Sequence, residues 1–156
     1  MRSRLTSLIL IAALAGGCAT SPTGRSQLVL MPESQMDQMG LQAFTNIKDE
    51  TPVERSRTTN SYVQCVGKAI TREVGGSWEI VVFQDDAANA FALPGRKIGV
   101  NTGLLKVAEN QHQLATVLGH EVAHVLSQHA NERVSQQFAV EQGLGLITAI
   151  ASPQSA

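Results

Sequence analysis

The chain has 156 residues, with 12 Lys and Arg against 13 Asp and Glu, and a formal net charge of −1. This length fits one domain and leaves little room for a second. Hydrophobic residues make up 43% of the chain, which excludes a disordered protein, and the near-neutral charge argues against nucleic-acid binding. Two cysteines are too few for a disulfide-stapled scaffold.

The first residues have the order of a secretory signal peptide. Arg2 and Arg4 precede an apolar run at residues 8–15, and two glycines then lead to Cys18. The run is too short to span a bilayer, which takes about 20 residues in a helix. The alternative interpretation is a buried N-terminal helix.

Residues 14–18 (LAGGC) also resemble a bacterial lipobox. The resemblance implies that residues 1–17 are a signal peptide cleaved before Cys18, that Cys18 carries lipid, and that residues 18–31 are a tether. Because Ala19 rather than Asp follows the cysteine, it also implies a lipid-anchored protein on the periplasmic face of the bacterial outer membrane. Cys65 then has no intrachain partner, and we expect it to be a small buried residue on a helix.

Two helices are predicted at the start of the remaining chain. The first begins near Pro32, which suits a first helical turn, and ends near Ile47. A charged loop at residues 48–58 follows, and a second helix ends at Gly75. Methionines at helical spacing in the first helix are interpreted as core residues.

A small sheet and further helices complete the pattern. Residues 78–83 and then 91–100 read as a strand and a strand-turn-strand unit. Thr102 is predicted to cap a short helix at residues 104–107, and Asn110 with Gln113 resembles a capping box that starts a long helix. The helical pattern continues to Gly143 and Gly145, with a break expected near Asn131.

His120, Glu121 and His124 form an H-E-x-x-H motif within that long helix. Residues four apart on a helix lie on one face, one turn apart, so both imidazoles can reach one Zn²⁺. A catalytic zinc keeps one position for water, and Glu121 can take a proton from that water. The motif therefore predicts a hydrolytic zinc site. The alternative is that both histidines are ordinary surface or core residues of a helix.

Longer segments around the motif resemble a known family, the HtpX and CAAX-prenyl-protease type of zinc metallopeptidase. The segments are residues 89–95 (NAFALPG), 98–105 (IGVNTGLL) and 114–125 (LATVLGHEVAHV). Residues 23–28 (TGRSQL) are similar to the bacterial lipoprotein branch of that family. One departure is Arg96, where the family commonly has Gly.

The resemblance implies an α+β fold, mostly helical and zincin-like, with a small strand-turn-strand sheet packed beside the active-site helix. It implies a gluzincin endopeptidase that acts on cell-envelope proteins, often in quality control. His120 and His124 would bind one Zn²⁺, and Glu121 would be the base. Asn89 and Ala90 would line a cleft in which substrate backbone pairs with a strand edge. Asn89 is equally compatible with a turn residue that closes a hairpin.

A catalytic zinc site has three protein ligands, and the sequence names only two. In the resembling family the third is a glutamate in a later helix, so we expect it beyond residue 156, with residues 32–156 forming the N-terminal part of the peptidase domain. Glu132 is too far along the predicted helix, and Glu141 reaches the metal only if that helix breaks. His129 is interpreted as a supporting or structural residue and His112 as a solvated one.

Two other functions compete with peptide hydrolysis. One is a catalytically inactive, truncated or degenerate peptidase-fold lipoprotein that acts as a binding or scaffold protein. The other is a zinc-binding module without hydrolysis, against which the intact Glu121 argues.

Residues 144–150 (LGLITAI) resemble the opening of a further helix.

Overall fold

The computed structural model describes residues 18–151, apart from the side chains of residue 18 and of residues 145–151. The predicted signal peptide at 1–17 lies outside the described residues. The described chain forms two compact units, residues 32–127 and residues 18–31 with 128–151. Among the helices of these residues, we find none that combines the length and the apolar character needed to cross a membrane.

Ten elements follow one another along the chain. They are β1 (Cys18–Thr20), β2 (Ser26–Leu28), α1 (Glu33–Glu50), α2 (Arg57–Val74), β3 (Glu79–Phe83), β4 (Ala90–Leu93), β5 (Lys97–Asn101), α3 (Thr102–Leu105), α4 (Gln111–Leu126) and α5 (His129–Ala151). This mixture of helices and small sheets confirms the predicted α+β class.

The ends of the first two helices follow from local chemistry. Pro32 occupies the N-cap position of α1, one residue before the helical turn in which it was expected. Ser56 caps α2 by accepting a hydrogen bond from the Thr59 N–H at 3.3 Å. Gly75, with φ of +71°, ends α2 because glycine adopts this left-handed backbone without steric cost.

The sheet of the larger unit has the strand order β3-β5-β4. Strand β3 runs parallel to β5, and β4 runs antiparallel to it, so β4 lies at an edge. The turn between β4 and β5 was predicted correctly as strand-turn-strand. The parallel pairing places β3 on the side of β5 that is away from β4. Phe83, the last residue of β3, also pairs with Val53 in an isolated bridge.

One face of this sheet packs against α2 and α4 to form the hydrophobic core. The core residues include Val63 and Val66 from α2, and Leu114, Leu118 and Val122 from α4. Strand residues complete it, among them Ile80, Val82, Ala90, Ile98 and Val100. Side chains of a strand alternate between the two faces of the sheet, and residues four apart on a helix share one face. The core residues accordingly recur at every second strand position and at every fourth position of α4.

The opposite face of the sheet packs against α1 through aromatic rings. Phe44 meets Phe83 edge-on at a centroid distance of 6.0 Å, and Phe83 stacks on Phe91 at 6.0 Å. Gly99 pairs with Phe91 across the strands, and a Cβ atom there would lie 2.2 Å from the Phe91 ring. Gly40 gives α1 a similarly close approach to the backbone of Pro94.

The smaller unit combines the strand pair with the last helix. In β1 and β2, Cys18 pairs with Leu28 and Thr20 with Ser26, in a segment that the sequence indicates as a tether. Helix α4 ends at Leu126, and Gln128 then takes φ of +52° before α5 begins. The break expected near Asn131 is therefore wrong by a few residues. Helix α5 continues through Gly143, Gly145 and the segment expected to open a further helix.

Two local predictions are wrong, the burial of Cys65 and the capping role of Thr102. Cys65 lies on α2 as expected, but it is exposed rather than buried, because it lies on the side of α2 away from Val63 and Val66. Thr102 is the first residue of α3 rather than its cap. Its hydroxyl instead donates to the carbonyl of Asp85 at 3.0 Å and ties the loop before β4 to the end of β5.

Candidate active site

Helix α4 carries the motif, and its start is fixed by a side-chain cap. The Asn110 side chain accepts hydrogen bonds from the N–H groups of His112 and Gln113, at 3.0 and 3.1 Å. The Gln113 side chain in turn accepts a hydrogen bond from a backbone N–H. The donor is Glu109, at 2.7 Å, rather than Asn110. The predicted cap is therefore confirmed, with the reciprocal bond moved by one residue.

The packing of α4 decides which way the motif faces. Leu114, Leu118 and Val122 lie four residues apart and are at most 2% exposed, so this stripe is held against the sheet and α2. His120 lies two residues from both Leu118 and Val122, which turns it by about 200° from each around the helix. The same burial that anchors α4 therefore keeps His120 at the surface, where it is exposed.

The two motif histidines converge on each other. Nε2 of His120 lies 2.9 Å from Nε2 of His124, and the ring centroids are 4.5 Å apart with the planes at 86°. Zinc–imidazole bonds are about 2.0–2.1 Å long, so one ion can reach both nitrogens at this separation. Paired imidazole nitrogens also match the borderline-soft character of Zn²⁺. The residues present fit a metal site with two protein ligands on α4.

No third ligand joins these two within the part of the chain that the structure describes. Among residues 19–144, whose side chains the structure describes, no group of three or more His, Cys, Asp or Glu could hold a metal ion. Glu132, which was considered too distant, is bound to Arg25 through two hydrogen bonds. Glu141 is exposed on α5, and His129 is the half-buried first residue of that helix.

Glu121 follows His120 directly and is half-buried on the same helix. It lies about 100° around α4 from His120, so the residue is next to the histidine pair on the helix surface. A carboxylate at this place can accept a proton without being a third protein ligand. His112 is exposed two turns earlier on α4, as predicted.

Strand β4 packs against α4 and is paired with β5 along one of its two edges. The Asn101 N–H donates to the carbonyl of Asn89 at 3.0 Å, so these two residues form a hydrogen-bonded pair. Bonded and non-bonded pairs alternate in an antiparallel ladder, so the N–H and C=O groups of Ala90 and Ala92 point away from β5. No strand of the described residues pairs with the other edge.

Asn89 and Ala90, the two predicted substrate-contacting residues, differ in which of their groups are accessible. Asn89 is exposed, its N–H bonds the carbonyl of Ala87 at 2.8 Å, and its own carbonyl serves the ladder. Its backbone therefore closes the turn before β4, while a role for its side chain in binding stays a prediction. The Ala90 side chain is buried in the core, which leaves only its backbone groups for a peptide. Ala92, which the sequence did not single out, has the same outward backbone orientation as Ala90.

Two ion pairs of this unit share Glu79 at the start of the sheet. Hydrogen bonds from Lys97 and Lys48, each at 2.9 Å, lower the pKa of Glu79. These pairs join α1 to the first residues of β3 and β5. They stabilise the scaffold on which α4 is packed.

Comparisons with known proteins agree on a peptidase. The sequence model of Peptidase family M48 matches residues 56–154. The mitochondrial metalloendopeptidase OMA1 of Arabidopsis thaliana is 31% identical over 129 residues, which is 81% of this chain and 26% of the relative. The human metalloendopeptidase OMA1 is 31% identical over 135 residues, 80% of this chain and 26% of the relative. The β-barrel assembly-enhancing protease of Escherichia coli K12 is 26% identical over 153 residues, 92% of this chain and 31% of the relative. The chain thus spans about a quarter of the length of the first relatives it matches.

Proposed function

The chain belongs to Peptidase family M48, and we propose that it carries the zinc-binding helix of an endopeptidase that hydrolyses proteins of the cell envelope. The family match and the metalloendopeptidase relatives support a metal-dependent peptidase. The single observation that carries the zinc assignment is the 2.9 Å approach of the two Nε2 atoms, since two ring nitrogens so placed suit one cation.

In this proposal, His120 and His124 hold the metal, and Glu121 is the base. When bound, zinc lowers the pKa of a coordinated water and polarises the carbonyl of the scissile bond. The carboxylate of Glu121 accepts the proton of the attacking water and then delivers it to the leaving amine. A third protein ligand completes the set, and it comes from outside the residues that the structure describes.

The free edge of β4 is proposed to hold the substrate. An extended peptide can pair with the outward N–H and C=O groups of Ala90 and Ala92, because a strand edge recognises backbone rather than sequence. Strand β4 packs directly on α4, so a peptide bound there would be oriented relative to the helix that carries the motif. Asn89 is proposed to contact the peptide through its side chain.

The location and substrate class rest on other observations. The lipobox-like segment at residues 14–18 supports a lipid anchor at Cys18 and a place on the periplasmic face of the outer membrane. The names of the E. coli and Vibrio cholerae relatives refer to β-barrel assembly, which favours envelope proteins as substrates and a role in their quality control. The similarity of residues 23–28 to the lipoprotein branch of the HtpX and CAAX-prenyl-protease type supports the same assignment.

A second candidate function is a peptidase-fold lipoprotein that binds partners without hydrolysis. It is favoured by the lack of a three-residue ligand group among the side chains of residues 19–144. This candidate predicts no stoichiometric zinc and no effect of His120→Ala on partner binding.

The deciding experiment measures zinc content and proteolysis of the intact protein as the cell makes it. We expect about one zinc per chain, lost in His120→Ala and kept in His112→Ala, which changes an exposed histidine two turns away on the same helix. Glu121→Gln is expected to keep the zinc and to abolish cleavage of an unfolded envelope protein, while Glu109→Gln keeps both. Cleavage at the normal rate after Glu121→Gln would refute the assigned base, and zinc retained in His120→Ala would refute the ligand.

A further inference from the structure

The residues between the proposed anchor and the first helix make an unusual set of contacts with α5. We call residues 25–31 the N-terminal strap. Both the strap and α5 belong to the smaller compact unit, so their contacts lie within one body. A free tether makes no such contacts, because its residues are solvated and interchange among many conformations.

The first contact joins backbone to a side chain in both directions. The side chain of Asn131 accepts a hydrogen bond from the Met31 N–H at 3.3 Å and donates one to the Met31 carbonyl at 2.8 Å. Asn131 is only 4% exposed. Its amide therefore pairs with Met31 as a neighbouring strand would, and loss of that amide leaves two backbone groups without a partner.

The second contact lies one helical turn later. Ser135 is fully buried, and its hydroxyl accepts a hydrogen bond from the Leu30 N–H at 2.8 Å. The same hydroxyl donates to the side-chain oxygen of Asn131 at 3.1 Å. The two polar residues thus form one network in which each member is satisfied, a condition under which buried polar groups specify a unique arrangement.

The third contact is an ion pair at the other end of the strap. Arg25 donates to the two carboxylate oxygens of Glu132 from its terminal nitrogens Nη1 and Nη2, at 2.8 and 2.5 Å, and the Glu132 side chain is 11% exposed. A guanidinium and a carboxylate in this two-point geometry fix direction as well as distance. Arg25 is itself held by a turn in which its N–H donates to the Ser21 hydroxyl at 3.1 Å.

The strap also fixes the position of Cys18. Strand β1 pairs with β2, and Cys18 lies opposite Leu28 within the strap. A flexible chain over residues 18–31 would give an r.m.s. reach of roughly 20 Å. In the observed arrangement Cys18 is held beside residues that are bonded to the first two turns of α5.

From these contacts we infer that the N-terminal strap locks the start of α5 and holds Cys18 at a fixed distance from it. Residues 18–31 are then a rigid connection, and no flexible segment separates a lipid on Cys18 from the smaller unit. The locking of α5 does not depend on hydrolysis or on zinc, and its consequence at the membrane rests on the lipid anchor of the proposed function. The contacts of the strap with α5 then determine how closely α5 follows the membrane.

The experiment measures the distance between β1 and α5 by pulsed electron paramagnetic resonance. Spin labels are placed at Thr20→Cys and Gln137→Cys, both exposed positions, in the full chain with Cys18 and Cys65 replaced by Ser. We expect one narrow distance distribution. Asn131→Ala broadens it and speeds amide exchange in the first two turns of α5 by about tenfold.

Asn60→Ala is the matched control. The Asn60 side chain also makes two hydrogen bonds to backbone carbonyls, at 2.8 and 2.9 Å, but on α2 in the larger unit. It is expected to leave both the distance and the exchange of α5 unchanged. If Asn131→Ala does not fold, Ser135→Ala removes one bond of the same network and should broaden the distribution less. A broad distribution in the parent chain, or a narrow one in both Asn131→Ala and Ser135→Ala, overturns the inference.

Discussion

Helices α4 and α5 follow each other along the chain but are held by opposite kinds of contact. Helix α4 is held by an apolar stripe, of which Leu114 and Leu118 are completely buried. The start of α5 is held by the polar residues Asn131, Glu132 and Ser135, each at most 8% exposed. Only two residues, 127 and 128, separate the two helices.

The difference shows what each kind of contact tolerates. Apolar packing is non-directional and scales with the area removed from water, so α4 has a stable position that does not rely on one bond. A buried polar network holds its position only while every member is paired. We therefore expect α4 to respond to changes of volume and α5 to respond to changes of hydrogen bonding and charge.

The largest effect is expected from a cavity under α4. Leu118→Ala removes a fully buried side chain that packs in the core, and we expect it to lower the free energy of unfolding by about 3 kcal/mol. Urea denaturation followed by circular dichroism measures this. Leu126→Ala, on the same helix but 40% exposed, should cost less than about 1 kcal/mol. Equal losses in the two variants would show that the stripe does not hold α4.

A smaller effect is expected when one hydroxyl is removed under α5. Ser135→Ala leaves the Leu30 N–H without its partner, which we expect to cost about 1–2 kcal/mol. Ser61→Ala, an exposed serine on α2, is the control and should change stability by less than about 0.5 kcal/mol. A neutral Ser135→Ala would mean that water replaces the hydroxyl and that the network is not closed.

Acid is expected to loosen α5 before α4. Hydrogen bonds from Arg25, helped by the charges of Arg25 and His129, lower the pKa of Glu132 below the ordinary value of 4.5. A lowered folded-state pKa stabilises the fold above about pH 4.5, and this stabilisation is lost as pH falls through the folded pKa. Amide exchange in the first turns of α5 should therefore rise below that pH, and Glu132→Gln should flatten this dependence.

Glu141→Gln is the control for the acid experiment, since Glu141 is exposed later on the same helix. It should leave the pH dependence of exchange unchanged. If the parent and Glu132→Gln lose protection at the same pH, the ion pair does not contribute to the acid sensitivity of α5.

The sequence predicted best the structural features that depend on residues close together in the chain. The Asn110 cap, the buried stripe of α4 and the shared face of His120 and His124 all depend on residues within a few turns. The β4–β5 turn follows for the same reason, whereas the α+β class was implied by the family resemblance. The assignment of Glu121 as the base has no direct test in the geometry and stays a prediction.

Long-range polar contacts were beyond such reasoning. Arg25 and Glu132 are 107 residues apart, and no period in the sequence links them. Asn131 was expected to break the helix, because asparagine often competes with helical hydrogen bonds. In the structure its side chain is bonded to Met31 instead, and the break falls at Gln128, a residue type that gives little local sign of a left-handed conformation.

The turn between β4 and β5 offers the smallest effect and separates backbone strain from side-chain bonding. Arg96 has φ of +60°, donates to the Gly75 carbonyl at 2.9 Å and lies over the Trp78 ring. Arg96→Gly relieves the strain but loses these contacts, so we expect nearly unchanged stability. Arg96→Ala keeps the strain and also loses the contacts, so it should be less stable than Arg96→Gly by about 1 kcal/mol in thermal unfolding. Equal stability of the two variants would show that the left-handed backbone at this turn carries no strain, and that Arg96 acts there only through its side-chain contacts.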